Sequence, residues 1–183
     1  LCYYFGTLSH FRQKIRRQLI GKEKLAMGSI RLILDNIRSL HNVGAIFRSA
    51  DGFGVERMYL CGITGTPNQT SVKKTALGAE STVPWERVED LPALIRKLKK
   101  QGIAVVGLER GAGGVMLPAF QPTFPLALVI GNEVEGISAD IRPLLEVTVE
   151  IPMVGAKESF NVAVAAGIAL YQLFCLKILP KKG

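Results

Sequence analysis

Arg48 places a charged guanidinium at a position that packing alone does not explain. This residue lies on a predicted helix, close to the small residues Ala45 and Ala50. An arginine on the packed side of a helix is costly unless its guanidinium meets an anion. An ion pair with Glu133 or Asp51 would supply that anion, and an anionic ligand is the alternative. Arginine is a poor proton acceptor, because its pKa exceeds about 12.

Five polar residues elsewhere each have a simple structural explanation. Asn42 can cap the helix that follows it, and Ser159 and Asn161 can cap the last helix of the chain. Glu133 can be an exposed acid in a loop. Lys74, on a short predicted helix, suits either solvent or a phosphate group.

Three predicted strands end in loops that contain glycine. These loops follow Leu108, Ile130 and Ile151. An α/β sheet binds ligands outside the carboxyl ends of its strands, and glycine lets backbone N–H and C=O groups approach them. Such loops can read a neutral adenine. The first strand is not followed by Gly-x-Gly-x-x-Gly, and no Gly-Lys-Ser/Thr P-loop occurs, which argues against a dinucleotide dehydrogenase or an NTPase.

Alternating strands and helices predict the frame that positions these loops. Several strands are apolar on both faces, as in a parallel sheet that helices cover. The pattern predicts an α/β fold with an open parallel-sheet sandwich. A basic helix over about 9–26 divides the chain into an N-terminal helical extension, 1–27, and a main domain, 28–183. The predicted strands are 30–34, 55–61, 103–108, 126–130 and 147–151, and the later predicted helices are 42–50, 71–77, 91–100, 138–145 and 162–176.

The net charge of +8 favours a polyanionic partner such as nucleic acid. Simple solubility is the alternative, but the basic residues are clustered and not evenly spread. Clustering favours nucleic-acid binding. The clusters are Arg12, Lys14, Arg16, Arg17, Lys22 and Lys24; Arg96, Lys97, Lys99 and Lys100; and Lys177, Lys181 and Lys182.

The sequence predicts no membrane segment and no metal site. Its longest apolar stretch, 162–176, is too short to span a bilayer, and the N-terminus lacks the pattern of a signal peptide. Cys2, Cys61 and Cys175 are odd in number and follow no ligand spacing, so we interpret them as free thiols in a reducing compartment. We therefore expect a cytoplasmic protein.

Three segments, in their order along the chain, carry a family resemblance. The first begins at residue 42 with Asn-Val-Gly-Ala-Ile-Phe-Arg. The second is 129–137, Val-Ile-Gly-Asn-Glu-Val-Glu-Gly-Ile. The third is 151–161, Ile-Pro-Met-Val-Gly-Ala-Lys-Glu-Ser-Phe-Asn. With these motifs the chain resembles the SpoU/TrmH family of RNA ribose 2'-O-methyltransferases, of the SPOUT class, over roughly 28–176.

The resemblance implies several properties that periodicity cannot show. It implies a C-terminal trefoil knot, S-adenosylmethionine (SAM) as the methyl donor without a metal, and a ribose 2'-hydroxyl of tRNA or rRNA as the acceptor. It also implies a homodimer in which the neighbouring subunit completes the site.

The resemblance also assigns residues to roles. Arg48 would lie at the ribose and phosphate of the target nucleotide, either as a base or as a group that orients phosphate and stabilises an alkoxide. Asn42 would support Arg48, and Glu133 would fix its guanidinium through a bidentate pair. Ser159 and Asn161 would orient the ribose. The residues implied for SAM binding are Leu108, Gly131, Ile151, Met153, Ser159 and Phe160. At the position of Phe160 the family usually has leucine. The resemblance points to Arg48 and Lys74 as RNA-binding residues, and the charge of the N-terminal cluster adds Arg12, Lys14, Arg16 and Arg17.

Two other functions compete with this interpretation. One is an RNA-binding protein on the same fold with little or no activity, against which the intact polar set argues. The other is a small-molecule α/β enzyme, against which the basic clusters and the missing phosphate motifs argue.

Overall fold

The computed structural model describes residues 28–111 and 113–178. The predicted N-terminal helix, with Arg12, Lys14, Arg16 and Arg17, lies outside the described residues, so the division of the chain at residue 27 stays a prediction. The seven strands are β1 (Ile30–Asp35), β2 (Arg57–Cys61), β3 (Trp85–Val88), β4 (Ala104–Leu108), β5 (Val115–Met116), β6 (Leu126–Ile130) and β7 (Val147–Glu150).

All seven strands pair in parallel, in the order β3-β2-β1-β6-β4-β7-β5. The central strand β6, Leu-Ala-Leu-Val-Ile, is buried at every position. A strand that is apolar on both faces needs a helical layer on each side. The predicted α/β parallel-sheet sandwich is therefore confirmed.

The helices supply these two layers. Buried residues of α1 and α5 belong to one core cluster with one face of the sheet, and the apolar face of α4 belongs to a second cluster with the other. Pro92 lies in the first turn of α4, and Asp90 caps this helix by accepting from the Ala93 N–H at 2.8 Å. The helices are α1 (Leu40–Gly52), α2 (Thr70–Ala76), α3 (Ala79–Thr82), α4 (Leu91–Lys100) and α5 (Val162–Ile178).

Two sequence expectations are wrong. The helix expected over 138–145 is only a 3-10 turn, Arg142–Leu144, since Pro143 lacks an N–H donor and restricts the residue before it. Asn42 does not cap α1. Ser39 is the cap, and its hydroxyl accepts from the Asn42 N–H at 3.3 Å, so Asn42 lies in the first turn with its side chain available for other contacts.

No helix among residues 28–111 and 113–178 is long and apolar enough to cross a membrane. The trefoil knot stays a prediction that the family resemblance carries.

Candidate active site

A cavity of about 360 Å³ lies at the carboxyl ends of β4, β6 and β7. This is the edge of a parallel sheet at which α/β proteins bind their ligands. The structure brings together here all six residues that the sequence implicates in cofactor binding. Those residues are Leu108, Gly131, Ile151, Met153, Ser159 and Phe160.

The loop after β6 closes tightly on itself beside the cavity. Asn132 and Gly136 exchange two backbone hydrogen bonds of 2.9 and 3.0 Å, and the Asn132 carboxamide accepts from the N–H groups of Val134 and Glu135. A Cβ at Gly131 would collide with the backbone of Gly136 and Ile137. The glycine at 131 is therefore required by the packing of its own loop, and not only by the approach of a ligand.

A polar chain joins the three sequence motifs. The Asn161 Nδ2 donates to Asn42 Oδ1 at 3.1 Å, and Asn42 Nδ2 donates to Glu133 Oε1 at 3.0 Å. Glu133 also accepts from the backbone N–H groups of Arg38 at 3.0 Å and Ser39 at 3.2 Å. Residues from two loops and from α1 are thus held in one arrangement.

These contacts set the electrostatics of Glu133. Burial alone would raise the pKa of its carboxyl group. Hydrogen bonds from the Arg38 backbone and the Asn42 side chain favour the charged form and lower this pKa below its usual value. The Glu133 carboxylate is therefore ionised at neutral pH and lies close to the first turn of α1, where the helix dipole favours negative charge.

Asn161 caps α5 as well as contacting Asn42. Its Oδ1 accepts from the N–H groups of Ala163 at 2.9 Å and Val164 at 3.4 Å. Asn161 therefore has the expected capping role, and it also links the third motif to Asn42 of the first. Ser159 is exposed and lines the cavity.

The structure does not bring Arg48 to Glu133. The carboxylate oxygens of Glu133 accept from Arg38, Ser39 and Asn42, and the Asp51 carboxylate accepts from the Thr82 hydroxyl at 2.7 Å. The expectation of an ion pair with Glu133 or Asp51 is wrong within this chain. Arg48 is exposed, so the desolvation argument for a buried anion does not apply. It also lies outside the cavity lining.

Lys74 lies in the last turn of α2, where both it and Lys73 are exposed. Helix α2 packs closely on α1, because a Cβ at Gly44 would collide with Thr75 and with the Val72 carbonyl. The two exposed lysines therefore lie on a helix in direct contact with the one that carries Arg48.

Comparison with known proteins identifies the family. The model of the SpoU rRNA Methylase family matches residues 29–171. The chain belongs to this family. It is 36% identical, over 95% of its length and 70% of the relative, to a 23S rRNA (guanosine-2'-O-)-methyltransferase RlmB from Nitrosomonas europaea. A relative of the same name from Vibrio vulnificus is 39% identical over 77% of this chain and 57% of its own.

Solved structures of the family have the same fold. The SpoU methyltransferase AviRb from Streptomyces viridochromogenes, in complex with AdoMet, is 28% identical with a TM-score of 0.74, covering 81% of this chain and 57% of its own. A TrmH/SpoU tRNA modifying enzyme from A. aeolicus is 28% identical with a TM-score of 0.75, covering 92% and 83%. The chain spans only 70% of the length of the Nitrosomonas relative and 57% of the length of the Vibrio relative.

The cavity at the ends of β4, β6 and β7 has a size and lining that suit an adenine nucleoside. Its volume lies in the range of small-molecule sites, about 300–1,000 Å³. Apolar side chains of Leu108, Ile151, Met153 and Phe160 can pack on a base, while the loop backbones offer hydrogen-bonding groups. Phe160 is 39% exposed, so its ring is accessible to a ligand. No group of side chains that could hold a metal occurs among the described residues.

Sequence reasoning missed Arg110, which borders the same cavity. Its guanidinium donates to the Glu158 carbonyl and so connects the loop after β4 with the loop after β7. The sequence could have indicated Arg110, because it lies two residues past the end of β4 and residues just beyond strand ends meet at the ligand-binding edge.

Proposed function

We propose that this protein is a SAM-dependent methyltransferase that modifies the ribose 2'-hydroxyl of a nucleotide in rRNA or tRNA. One observation carries the proposal. Every residue that the resemblance implicates in cofactor binding lines one cavity, and this cavity lies beside the polar chain. Ser159 belongs to the lining, and Asn161, two residues further on, begins the chain of hydrogen bonds to Asn42 and Glu133. Relatives named for guanosine-2'-O-methylation and a family structure with AdoMet support it.

The cofactor site would be formed by Leu108, Gly131, Ile151, Met153, Ser159 and Phe160. SAM, when bound, supplies an electrophilic methyl group on its sulfonium. The apolar side chains would pack on the adenine, and the loop backbones would read its edge. The hydrogen bonds within the loop after β6 hold the backbone groups of that loop in position before the ligand arrives, which lowers the entropic cost of binding.

The remaining polar residues would act on the RNA ribose. Ser159 and Asn161 offer a hydroxyl and an amide that can orient a sugar without adding charge. Asn161 is held by its bond to Asn42, and Asn42 is held by the Glu133 carboxylate. Glu133 is thus a positioning residue in this proposal, and its partner is Asn42 rather than the arginine.

Arg48 would meet the phosphate and the developing charge on the 2'-oxygen. The 2'-hydroxyl must lose its proton as it attacks the methyl group. A guanidinium with a pKa above about 12 is a poor acceptor for that proton, so stabilising the alkoxide and orienting the phosphate is the easier role. Its exposed position leaves the planar fork available for a bidentate phosphate contact.

A homodimer would bring Arg48 to the cavity of a second copy. Within one chain this arginine does not line the cavity, which supports a site that two subunits complete. Helix α5 exposes the apolar side chains of Val164, at 49%, and Tyr171, at 57%. Burial of apolar side chains is the main driving force of subunit association.

RNA is the partner that the charge favours, since the net charge is +8. Lys74 and the residues Arg12, Lys14, Arg16 and Arg17 would bind its phosphates. We propose the cytoplasm as the location, where thiols such as those of Cys61 and Cys175 stay reduced.

Calorimetry with SAM, followed by incubation with labelled SAM and total RNA, tests the proposal. We expect saturable SAM binding and transfer of label to RNA. Binding of RNA without transfer of label would instead support an RNA-binding protein on this fold.

A further inference from the structure

Glu109 has a buried carboxylate oxygen with no partner. The residue follows β4 directly, lines the cavity, and its side chain is only 10% exposed. Its Oε1 accepts from Arg142 Nη2 at 2.7 Å. Its Oε2 is buried and meets no hydrogen-bond donor among the described residues.

An unpaired buried oxygen needs an explanation, because native structures leave few such groups. Glu80 Oε2 is the other such side-chain oxygen in residues 28–111 and 113–178, and Glu80 does not line the cavity. Glu109 thus combines an unused acceptor with a place in the cavity lining. A ligand that carries a hydrogen-bond donor would satisfy this acceptor after a small rotation of the Glu109 carboxylate, because Oε2 itself has almost no accessible area.

Arg142 determines which donor suits Glu109. The Arg142 Nε also donates to the Ile137 carbonyl at 3.0 Å, so the guanidinium is fixed between the loop after β6 and Glu109. The ion pair offsets the charge of the Glu109 carboxylate itself. A second cation therefore gains little there, whereas a neutral hydroxyl can donate to the remaining oxygen of the carboxylate.

We propose that Glu109 Oε2 binds the ribose hydroxyls of the adenosine part of the cofactor. This inference rests on the proposed function, because it takes SAM as the occupant of the cavity. Glu109 would then discriminate ribonucleoside ligands from analogues that lack these hydroxyls. In this arrangement the Glu109 carboxylate, just beyond the end of β4, accepts hydrogen bonds from the sugar diol at the ligand-binding edge of the sheet.

The test measures the dissociation constants of two ligands by calorimetry. One ligand is S-adenosylhomocysteine, and the other is its analogue without the 2'- and 3'-hydroxyls. Glu109→Gln keeps an acceptor for Arg142 but replaces the free oxygen by an NH₂ group, which cannot accept. We expect this variant to bind S-adenosylhomocysteine about tenfold or more weakly and the dideoxy analogue as the wild type does.

Two controls separate the possible outcomes. Glu80→Gln changes the other unpartnered carboxylate and should leave both dissociation constants unchanged. The wild type should bind the dideoxy analogue about tenfold or more weakly than S-adenosylhomocysteine, a comparison that requires no variant to fold.

Three results would overturn the inference. An equal loss for both ligands in Glu109→Gln would mean that Glu109 only supports Arg142. A loss that disappears with 5'-methylthioadenosine, which keeps the diol but lacks the amino acid, would assign the carboxylate to the ligand's ammonium group. A wild type that does not bind S-adenosylhomocysteine would overturn SAM binding in the proposed function and this inference with it.

Discussion

Asn161 donates through Nδ2 to Asn42 Oδ1 at 3.1 Å, although 119 residues separate them in the chain. Each lies in the first turn or at the cap of a helix, so the bond ties the start of α5 to the start of α1. Glu133 extends the link through its bond to Asn42 Nδ2. The three motifs of the family therefore meet through their polar side chains.

Asn161→Asp should separate the two roles of this residue. The aspartate can still accept from the N–H groups of Ala163 and Val164, but it cannot donate to Asn42. We expect a thermal midpoint close to that of the wild type and methyl transfer reduced about tenfold or more, since a positioned group is lost. Circular dichroism and a methyl-transfer assay measure the two quantities. Asn68→Asp, an exposed change on the loop after β2, is the control. Unchanged activity would leave Asn161 as a helix cap alone.

Arg48→Ala should leave the fold and SAM binding intact, because the side chain is exposed and lies outside the cavity lining. Methyl transfer should fall about a hundredfold or more, the scale seen when a transition-state donor is removed. Arg48→Lys keeps the charge but loses the planar fork, so it should restore little. Arg96→Ala, exposed on α4, should have no effect.

Single-turnover rates at saturating SAM and RNA would decide between roles for Arg48. Near-complete recovery with lysine would show that a point charge toward phosphate suffices. A rate in Arg48→Ala close to that of the wild type would contradict the catalytic assignment.

The basic N-terminal segment should contribute to RNA affinity by neutralising phosphates. Replacing Arg12, Lys14, Arg16 and Arg17 by alanine should reduce the slope of log affinity against log salt by about one for each phosphate that is no longer neutralised. SAM binding should not change. The control removes the same charge from α4, at Arg96, Lys97, Lys99 and Lys100. Equal effects of the two fourfold variants would indicate a general electrostatic attraction without a preferred surface.

Glu133 should make the stability of the protein depend on pH in the acid range. Its folded-state pKa is lowered, so its ionised form stabilises the fold above the unfolded value of about 4.3, and this contribution is lost as pH falls through the folded pKa. We expect Glu133→Gln to lower the thermal midpoint at pH 7 and the difference from the wild type to shrink at low pH. Glu135→Gln, exposed in the same loop, is the control. A difference that stays constant with pH would contradict this linkage.

Gly131→Ala should destabilise the loop after β6. The added methyl would collide with the backbone of Gly136 and Ile137, which cannot move without breaking the two hydrogen bonds between Asn132 and Gly136. We expect a lower thermal midpoint and weaker SAM binding, measured by scanning calorimetry and titration. Gly155→Ala, in the loop after β7, meets no atom within 4 Å and should change neither.

The sequence predicted the sheet well and the contacts of the site only in part. The apolar run 126–130 predicted β6 to the residue, because a strand buried on both faces has an unmistakable pattern. Sequence reasoning missed Trp85–Val88 and Val115–Met116. The first has two adjacent charged residues at its centre, Glu86 and Arg87, and the second is only two residues long. Short edge strands are defined by their neighbours and not by their own composition.

The partners of polar side chains were harder to predict than their position. Glu133 was expected to hold Arg48, but its carboxylate lies near the start of α1, where the N–H groups of Arg38 and Ser39 and the Asn42 amide are closer donors. Spacing along the chain shows which motifs meet. It does not show which atoms are within hydrogen-bonding distance, because that depends on how the loops turn.

The most direct test of the proposed function identifies the methylated product. Wild-type protein and Arg48→Ala are incubated with SAM labelled in its methyl group and with rRNA and tRNA, and the RNA is digested to nucleosides for mass spectrometry. We predict that the label is found in 2'-O-methylated nucleosides with the wild type, and that Arg48→Ala yields about a hundredfold less. Label on a base, or no label in RNA despite measurable SAM binding, would contradict ribose 2'-O-methylation by this protein.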